Sequence, residues 1–528
     1  MVISPLLLQS DYWVTFKIQE KDLDYLYNQL LELETPLTTS ELAGILVNER
    51  IRNEKKALEN RATADGKVYL PKEQYAVGDR LVFPALNWQK GKVVGVRPGF
   101  NPEMQAFEVI DVEFEKGSKR AFASVLESHV LNQPVEVKTD DPNLVPEQVM
   151  KKYGASITRQ LDASLKGNPD LVQIAARWFP RALLVDVNMG HLNLAEAVLD
   201  MAGGGPLPTK NILDQVELPT DVNPKLTEFS LNHALQEDKR FDEVGPAGEV
   251  VWFLQRLEPA EIQKPPVYLR YTEVPYDPAL LTPEMLALEK ELDDEFSPTE
   301  ETDGTETDGR VSLIFPHWRA GTLPLSSKIE RLMPTAFQSP RIRFTLVDED
   351  SGKKYDAWVV RPHRYVFGLR EWYEDQGAFP GSWIHIQPGK NPGEVIVGVE
   401  KRRSAREWIR TVLVGADGGI VYAMLKQVVA TTFDERMAIA IPDLGAVDSV
   451  WEQGLKSQKA FHTIVKNTMR ELAKLTPQGN VHAQELYAAV NVVRRSPPGP
   501  IFALMVSDPM FSHVGDLYYR VSDGSDQE

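Results

Sequence analysis

The sequence predicts an α+β protein of several domains, and three observations support this. One spacing of apolar residues occurs three times, two stretches alternate between apolar and polar residues, and an acid-rich segment separates them. Apolar residues at helical spacing indicate amphipathic helices, whereas alternation indicates half-buried strands. A chain of 528 residues is long enough to form several hydrophobic cores.

The repeated spacing places apolar residues five and then four positions apart, on one face of a helix. The three sets are Leu37, Leu42 and Leu46; Leu207, Ile212 and Val216; and Val481, Leu486 and Val490. Each set follows an earlier helix-like run and a turn. We interpret them as three copies of one plan, in which a helix, a turn, a second helix and a third helix precede a hairpin.

Two copies end in the same hairpin signature, Asp-x-x-Phe-x-x-Val-Gly, at 238–245 and 508–515. This plan resembles the winged-helix repeats of the HARE-HTH and RNA polymerase delta-subunit type, through the Phe-x-x-Val-Gly wing. The resemblance implies a DNA- or transcription-associated role. We expect Leu42, Ile212 and Leu486 to be equivalent buried residues, and Tyr69, Trp252 and Tyr518 to lie in equivalent wing strands.

The first copy differs from the other two. Its third helix is predicted over Asn48–Asn60, and its wing is reduced to the stretch 65–70. The whole chain then divides into seven predicted regions. In order they are winged helix 1 (1–72), a small β-barrel (73–138), a helical spacer (139–189), winged helix 2 (190–262), a proline-rich strap and acidic disordered linker (263–312), a mostly-β domain (313–458) and winged helix 3 (459–522).

The two alternating stretches carry weaker similarities. The run Val77–Pro84, followed by Gly91-Lys92-Val93, resembles the opening of Tudor, KOW or CarD-like barrels, which implies binding to a protein or to nucleic acid. The later stretch pairs two strands and then carries Trp372 and Gly381-Ser382-Trp383-Ile384. It resembles the DNA-binding pseudobarrels of plant transcription factors and of restriction-enzyme recognition domains.

The net charge of −18 is concentrated in one segment. From Asp277 to Asp308 the chain has twelve acidic residues against one base, Lys290, which gives −11 of that total. The part from Ser297 to Gly309 contains no apolar residue, so we expect a disordered linker there. Because the acidity is local, it does not exclude nucleic acid as a partner of the remaining chain.

No pattern of residues indicates an enzyme. The absence of cysteine excludes disulfides and thiolate sites, and the nine histidines show no metal-ligand spacing. Neither a P-loop nor a Gly-x-Ser-x-Gly motif occurs. We therefore expect no catalytic residues, metal or cofactor. The start lacks a basic region and no apolar run is long enough to cross a membrane, so we expect a cytoplasmic protein.

Two clusters of bases are candidates for contacts with DNA phosphates. One lies on the predicted third helix of copy one and the other follows the later alternating stretch. They comprise Arg50, Arg52, Lys55 and Lys56, and Lys401, Arg402, Arg403 and Arg406. The preferred function is a non-enzymatic regulator or scaffold that binds double-stranded DNA or associates with RNA polymerase or another protein. Two alternatives stay open, a docking scaffold without DNA binding and the recognition component of a restriction or defence system. The oligomeric state also stays open.

Overall fold

A computed structural model gives the fold, in two compact units. It describes residues 12–64, 67–83, 86, 89–101, 106–114, 117–132, 142–218, 222–246, 248–298, 307–336, 339–416, 418–457 and 459–522, with the backbone alone at 55 and 57–64. One unit contains the described residues up to Asp186 together with 222–230, and the other contains the remainder. The described residues form helices and six sheets, in agreement with an α+β fold.

The first unit contains three helices and a three-stranded sheet, which we call repeat 1. The helices are Glu20–Leu33, Thr39–Ala64 and Pro146–Lys166, and the strands are Leu37–Thr38, Leu171–Ile174 and Arg177–Pro180. The strand Arg177–Pro180 lies in the middle of this sheet. Repeat 1 therefore takes its third helix and hairpin from the region predicted as a helical spacer.

The prediction of a separate third helix over Asn48–Asn60 is wrong. Those residues belong to the single helix Thr39–Ala64. Between Asn48 and Asn60 the sequence has neither glycine nor proline to interrupt a helix. Val47 and Ile51 are buried and extend the apolar stripe begun by Leu42 and Leu46.

A five-stranded sheet is inserted between the second and third helices of repeat 1. Its strands are Lys67–Val68, Arg80–Phe83, Gln89–Pro98, Glu108–Phe114 and Lys119–Ser124, in that order across the sheet. The short 3-10 helices Val130–Asn132 and Pro142–Leu144 follow. Tyr69 is buried in this sheet, where its ring stacks on Phe83 with 4.8 Å between centroids. The described part of the predicted wing, residues 67–70, therefore does not form a wing of repeat 1, because Lys67–Val68 pairs with Arg80–Phe83 instead.

Two further groups of elements have the order seen in repeat 1, and we call them repeats 2 and 3. Repeat 2 has helices Met189–Met201, Thr209–Leu213 and Pro224–Glu237 and strands Leu207–Pro208, Phe241–Glu243 and Val251–Leu254. Repeat 3 has helices Phe461–Ala473, Ala483–Val493 and Pro498–Ser507 and strands Val481–His482, Phe511–Gly515 and Tyr518–Val521. In each sheet the last strand lies between the other two. Leu42, Ile212 and Leu486 are all fully buried.

An aromatic residue of the central strand packs at the start of the second helix in repeats 1 and 2, and repeat 3 has a tyrosine at the same position. The residues that face the short first strand are Trp178, Trp252 and Tyr519. In repeat 1 the Trp178 indole donates a hydrogen bond to the Thr39 hydroxyl at 2.9 Å. In repeat 2 the Trp252 indole donates to Asn232 at 2.9 Å and to the Thr209 hydroxyl at 3.3 Å. Trp252 and Tyr518 therefore lie in equivalent strands, as expected, and the residue of repeat 3 at the position of Trp252 is Tyr519.

The mostly-β region forms a seven-stranded mixed sheet. In spatial order its strands are Gly309–Ser312, Trp383–Pro388, Glu394–Val399, Arg341–Asp348, Lys354–Val360, Tyr365–Phe367 and Thr322–Pro324. Helices Phe315–Ala320, Ser327–Glu330 and Arg370–Gln376 accompany it. Burial alternates strictly along Arg341–Asp348, as the apolar-polar alternation of its sequence requires.

A long β-hairpin follows this sheet, and we call it the ribbon. Its strands, Lys401–Val414 and Ile420–Thr431, form a three-stranded sheet with the short strand Ile439–Ala440. The helix Leu444–Ser457 leads into repeat 3. Short helical turns lie at Arg181–Leu183, Gln255–Leu257, Ala260–Gln263, Val267–Leu269, Pro278–Leu280 and Arg361–His363.

The acidic segment is folded in its first part, which corrects the prediction of a strap and linker throughout 263–312. Pro283–Leu292 is a helix with Met285 and Leu288 buried in the core of repeat 3. Asp294 and Glu295 are buried, and each lies 2.7 Å from the Arg495 guanidinium. A buried cation with hydrogen bonds stabilises carboxylates that composition alone assigns to solvent. The expected linker Ser297–Gly309 lies largely outside the described residues.

Candidate nucleic-acid interface

The third helix of repeat 1 buries one side and exposes the other. Proline at its first position fits a helix start because it has no N–H that needs a partner there. Val149, Ile157, Leu161 and Leu165 are buried, at the spacing of one helix face. This stripe fixes which side chains point away from the core of repeat 1.

The opposite side of this helix, which we call the basic helix face, carries polar and cationic residues. Gln148, Lys151, Lys152, Ser156 and Arg159 are exposed. Residues 148–161 contain no carboxylate. Lys151 and Arg159 have no ion-pair partner in the described part of the chain, and the Lys152 ammonium lies 5.0 Å from the centre of the Tyr153 ring. About two turns of helix therefore present three cations with no carboxylate between them.

The predicted cluster on the helix Thr39–Ala64 does not form such a face. The Arg50 guanidinium lies 2.6 Å from the buried Asp22 carboxylate and 5.6 Å from the centre of the Phe16 ring. Arg52 pairs with Glu49 at 2.6 Å. Lys56 is exposed, and the side chain of Lys55 lies outside the described part. Arg50 thus stabilises the packing of the first two helices of repeat 1.

The second predicted cluster lies on the first strand of the ribbon. Lys401 pairs with Asp350 at 2.9 Å. Arg402 lies 3.4 Å from Glu407, with its guanidinium over the Phe433 ring. Arg403 and Arg406 are exposed and form no ion pair with any described residue. The predicted cluster thus contains two bases with an ion-pair partner, Lys401 and Arg402, and two without one among the described residues, Arg403 and Arg406.

The third helices of repeats 2 and 3 do not offer a comparable surface. In repeat 3, Pro498–Ser507 is buried from Pro498 to Ala503 and again at Met505. In repeat 2, the first half packs Leu226 and Phe229 in an apolar cluster of the first unit, and the second half packs Leu231 in the core of repeat 2. Among the three repeats, repeat 1 alone exposes a basic third helix within the described residues.

Sequence reasoning missed the basic helix face because it assigned the third helix of repeat 1 to the wrong part of the chain. One signal could have found it. Leu161 and Leu165 precede the strand that begins at Leu171 by the same intervals that separate Leu231 and Leu235 from Phe241. Both pairs of leucines are fully buried.

His482 illustrates how a histidine in a cleft can be structural. It contributes to a cleft of about 610 Å³ together with Trp383, Asp434 and Arg436. Its ring Nδ1 accepts a hydrogen bond from the backbone N–H of Gln484 at 3.1 Å, which caps the second helix of repeat 3. Burial and the nearby Arg436 lower the pKa of His482 to about 4. A neutral ring suits this capping role.

Within the described ranges, no three His, Asp or Glu side chains come together as they would around a metal ion. No helix among the same residues combines the length and apolar content needed to cross a bilayer. Comparisons of this chain with family models, with curated proteins and with solved structures find no match.

Proposed function

We propose that this protein binds double-stranded DNA through the basic helix face, as a non-enzymatic DNA-associated regulator or scaffold. The observation that carries the proposal is the run of exposed cations Lys151, Lys152 and Arg159 without a carboxylate between them. The resemblance to winged-helix repeats supports it, because such domains place a helix in the major groove. RNA polymerase or another protein remains a second kind of partner for the same role.

The physical argument rests on counterion release. Each phosphate that a lysine or arginine neutralises frees a condensed cation from the duplex, and this drives binding most strongly at low salt. Lys152 and Arg159 lie two turns apart, which corresponds to about 10 Å along a helix. Gln148 and Ser156 are exposed on the same helix face as the three bases, and amide and hydroxyl groups are donors and acceptors that can read base edges in the major groove.

The competing function is a docking scaffold that does not bind DNA. The burial of the third helices in repeats 2 and 3 favours it, since those helices pack within the protein. The two functions differ in one prediction: only the first gives binding of duplex DNA that depends on salt and on the basic helix face.

The test is fluorescence anisotropy of a short random-sequence duplex at about 50 and 200 mM salt, a range over which phosphate contacts weaken strongly. For Lys151→Ala with Lys152→Ala and Arg159→Ala we expect weaker binding and a salt slope lower by up to about three units. A matched control replaces Lys17, Lys21 and Arg181 by alanine, because these are exposed cations outside the basic helix face. No binding by the unmodified protein at low salt, or equal losses in both triple variants, would contradict the proposal.

A further arm tests the bases predicted from the sequence. Arg52→Ala with Lys56→Ala removes the members of that cluster whose side chains the structure describes as exposed, and we expect little change in the salt slope. Arg50 is left intact in this arm because its removal would leave the buried Asp22 without its ion-pair partner.

A further inference from the structure

Residues 424–430 of the second ribbon strand, the part away from the hairpin turn, form an open sheet edge. The strand Ile420–Thr431 pairs with Lys401–Val414 on one side, and no described strand lies on its other side. Near the hairpin turn the strand is covered, since Tyr422 is buried and its hydroxyl donates to the Ala489 carbonyl at 2.8 Å. An edge strand presents unpaired N–H and C=O groups, which natural proteins usually cover or protect.

Apolar side chains are exposed on and beside residues 424–430. The fraction exposed is 66% for Val428, 61% for Trp408 and 40% for Met424. Trp408 faces Lys426 across the ribbon, and Arg406 faces Val428, so these side chains share one face. We call this surface the ribbon face. Neighbouring apolar residues exposed in this way, with polar groups around them, mark a site of interaction.

The charges of the ribbon face are all positive. The Lys426 ammonium lies 5.2 Å from the centre of the Trp408 ring, and neither Lys426 nor Arg406 forms an ion pair with any described residue. Glu407 points to the opposite face, where it pairs with Arg402 at 3.4 Å. Charge complementarity therefore requires an acidic partner.

Two other occupants fit less well. A second copy of this chain, paired strand to strand, would bring Lys426 and Arg406 near their own counterparts, and like charges across strands are destabilising. A nucleic acid would match the cations and could stack on Trp408, but it would leave the backbone edge unpaired and Val428 and Met424 exposed.

We propose that residues 424–430 bind an extended acidic segment of another protein by strand addition. The backbone of that segment pairs with the open edge, as in peptide recognition by other exposed sheet edges. Every second side chain of that segment lies on the ribbon face. Among these, apolar side chains pack on Trp408 and Val428, and carboxylates contact Arg406 and Lys426. This interface lies in the second unit and does not depend on the proposed DNA contact.

The probe is a short fluorescein-labelled peptide of repeating Val-Thr-Glu-Thr, in which valine and glutamate share one face of the strand, titrated with the full-length protein. A second version carries N-methyl groups on alternate amides, which removes backbone donors but keeps every side chain. A third version has lysine in place of glutamate. We expect the acidic peptide to bind, the N-methylated peptide to bind at least about tenfold more weakly, and the lysine peptide not to bind.

Variants of the protein connect the binding to this surface. Arg406→Glu with Lys426→Glu should abolish binding of the acidic peptide and permit binding of the lysine peptide. Trp408→Ala should weaken binding by about tenfold, as a buried aromatic anchor would. Lys456→Glu is a control, because that exposed lysine lies on a helix outside the ribbon. Thermal melts of each variant check that the fold is retained.

Four outcomes would overturn the proposal. The acidic peptide could fail to bind, or it could bind equally well with its alternate amides methylated. Binding could be unchanged by the double charge reversal. A labelled oligothymidylate, or a second copy of the protein in sedimentation, could occupy the surface in place of the peptide, with a dependence on Trp408 and Lys426.

Discussion

Repeats 2 and 3 each meet a neighbouring segment through two carboxylates and one arginine, yet the two groups are arranged differently. At repeat 3, Asp294 and Glu295 each lie 2.7 Å from Arg495. The Glu295 carboxylate also lies 3.1 Å from Nε2 of the buried His317. Burial alone would raise the pKa of Glu295, but Arg495 and His317 outweigh it and lower that pKa to about 2.

At repeat 2 the arginine, Arg341, forms its hydrogen bond with only one of the two acids, Asp242. Arg341 donates to Asp242 at 2.8 Å, and its guanidinium is 3.6 Å from Glu258, whose side chain is fully buried. Neither oxygen of Glu258 has a hydrogen-bond partner within the described part of the chain. Burial, and then Asp242, raise the pKa of Glu258 to about 8. Glu295 and Glu258 thus have opposite pKa shifts, because Arg495 and His317 both contact Glu295, whereas Glu258 has Arg341 only at 3.6 Å and the acidic Asp242 beside it.

The largest expected effect comes from removing the arginine at repeat 3. Arg495→Met leaves Asp294 and Glu295 buried without their shared cation, so the free energy of unfolding should fall by about 3–5 kcal/mol. Chemical denaturation monitored by tryptophan fluorescence measures it. The control is Arg494→Met, because that neighbour packs on the Phe461 ring and has no buried carboxylate as partner. Equal losses in the two variants would show that the cluster contributes no specific stability.

The next prediction concerns Glu258, the buried carboxyl beside Asp242 at repeat 2. Glu258 stays neutral in the folded protein up to about pH 8, whereas in the unfolded chain it ionises near its ordinary pKa of 4.5. Its contribution to stability is therefore present below about pH 4.5 and is lost as the pH rises towards 8. In Glu258→Gln this loss is absent, so the variant should gain more than about 1 kcal/mol relative to the unmodified protein between pH 5 and pH 9.

Two comparisons sharpen this prediction. Glu249→Gln changes an exposed carboxyl of the same hairpin and should leave the pH profile unchanged. Glu295→Gln should change the pH dependence of stability at acidic pH instead. The stability that depends on the charge of Glu295 is present above about pH 4.5 and is lost as the pH falls towards 2. A profile of Glu258→Gln that parallels the unmodified protein would refute the assignment of a neutral buried acid.

The smallest expected effect concerns the threonine at the start of the second helix. In repeat 3 this position is Ala483, which shows that the fold tolerates the change. Thr209→Ala in repeat 2 should cost about 1 kcal/mol, because the Trp252 indole keeps Asn232 as acceptor. Thr39→Ala in repeat 1 should cost more, since Thr39 is the only described acceptor of the Trp178 indole. Denaturation that ranks the two variants in reverse would contradict this explanation.

The sequence predicted repeats 2 and 3 well because each is continuous in the chain. The apolar spacing located Ile212 and Leu486, and both are fully buried. It failed for repeat 1, because adjacency in sequence suggested that the third helix follows the second directly, whereas a whole sheet lies between them.

None of the three bases of the basic helix face, Lys151, Lys152 and Arg159, was predicted as a site residue. Arg403 and Arg406 are exposed as expected, but Arg50 forms a largely buried ion pair with Asp22. Composition likewise assigned Asp294 and Glu295 to solvent, and the arginine that binds them is about two hundred residues away. A charge pattern gives the sign of a residue but not the distant partner that neutralises it.

The sheet inserted into repeat 1 has a consequence for synthesis on the ribosome. Thr39 and Trp178, whose hydrogen bond closes the repeat, are 139 positions apart, and the inserted sheet is made between them. At roughly 5–20 residues per second, the insert has several seconds in which to fold before its host can be completed. A folded insert shortens the flexible loop that repeat 1 must close. The free-energy gain is small, because the entropic cost of loop closure changes by only about 0.6 kcal/mol for each doubling of loop length. The nascent chain therefore carries the first two helices of repeat 1 with an open apolar face until Trp178 emerges, and this interval is when a chaperone would have most to bind.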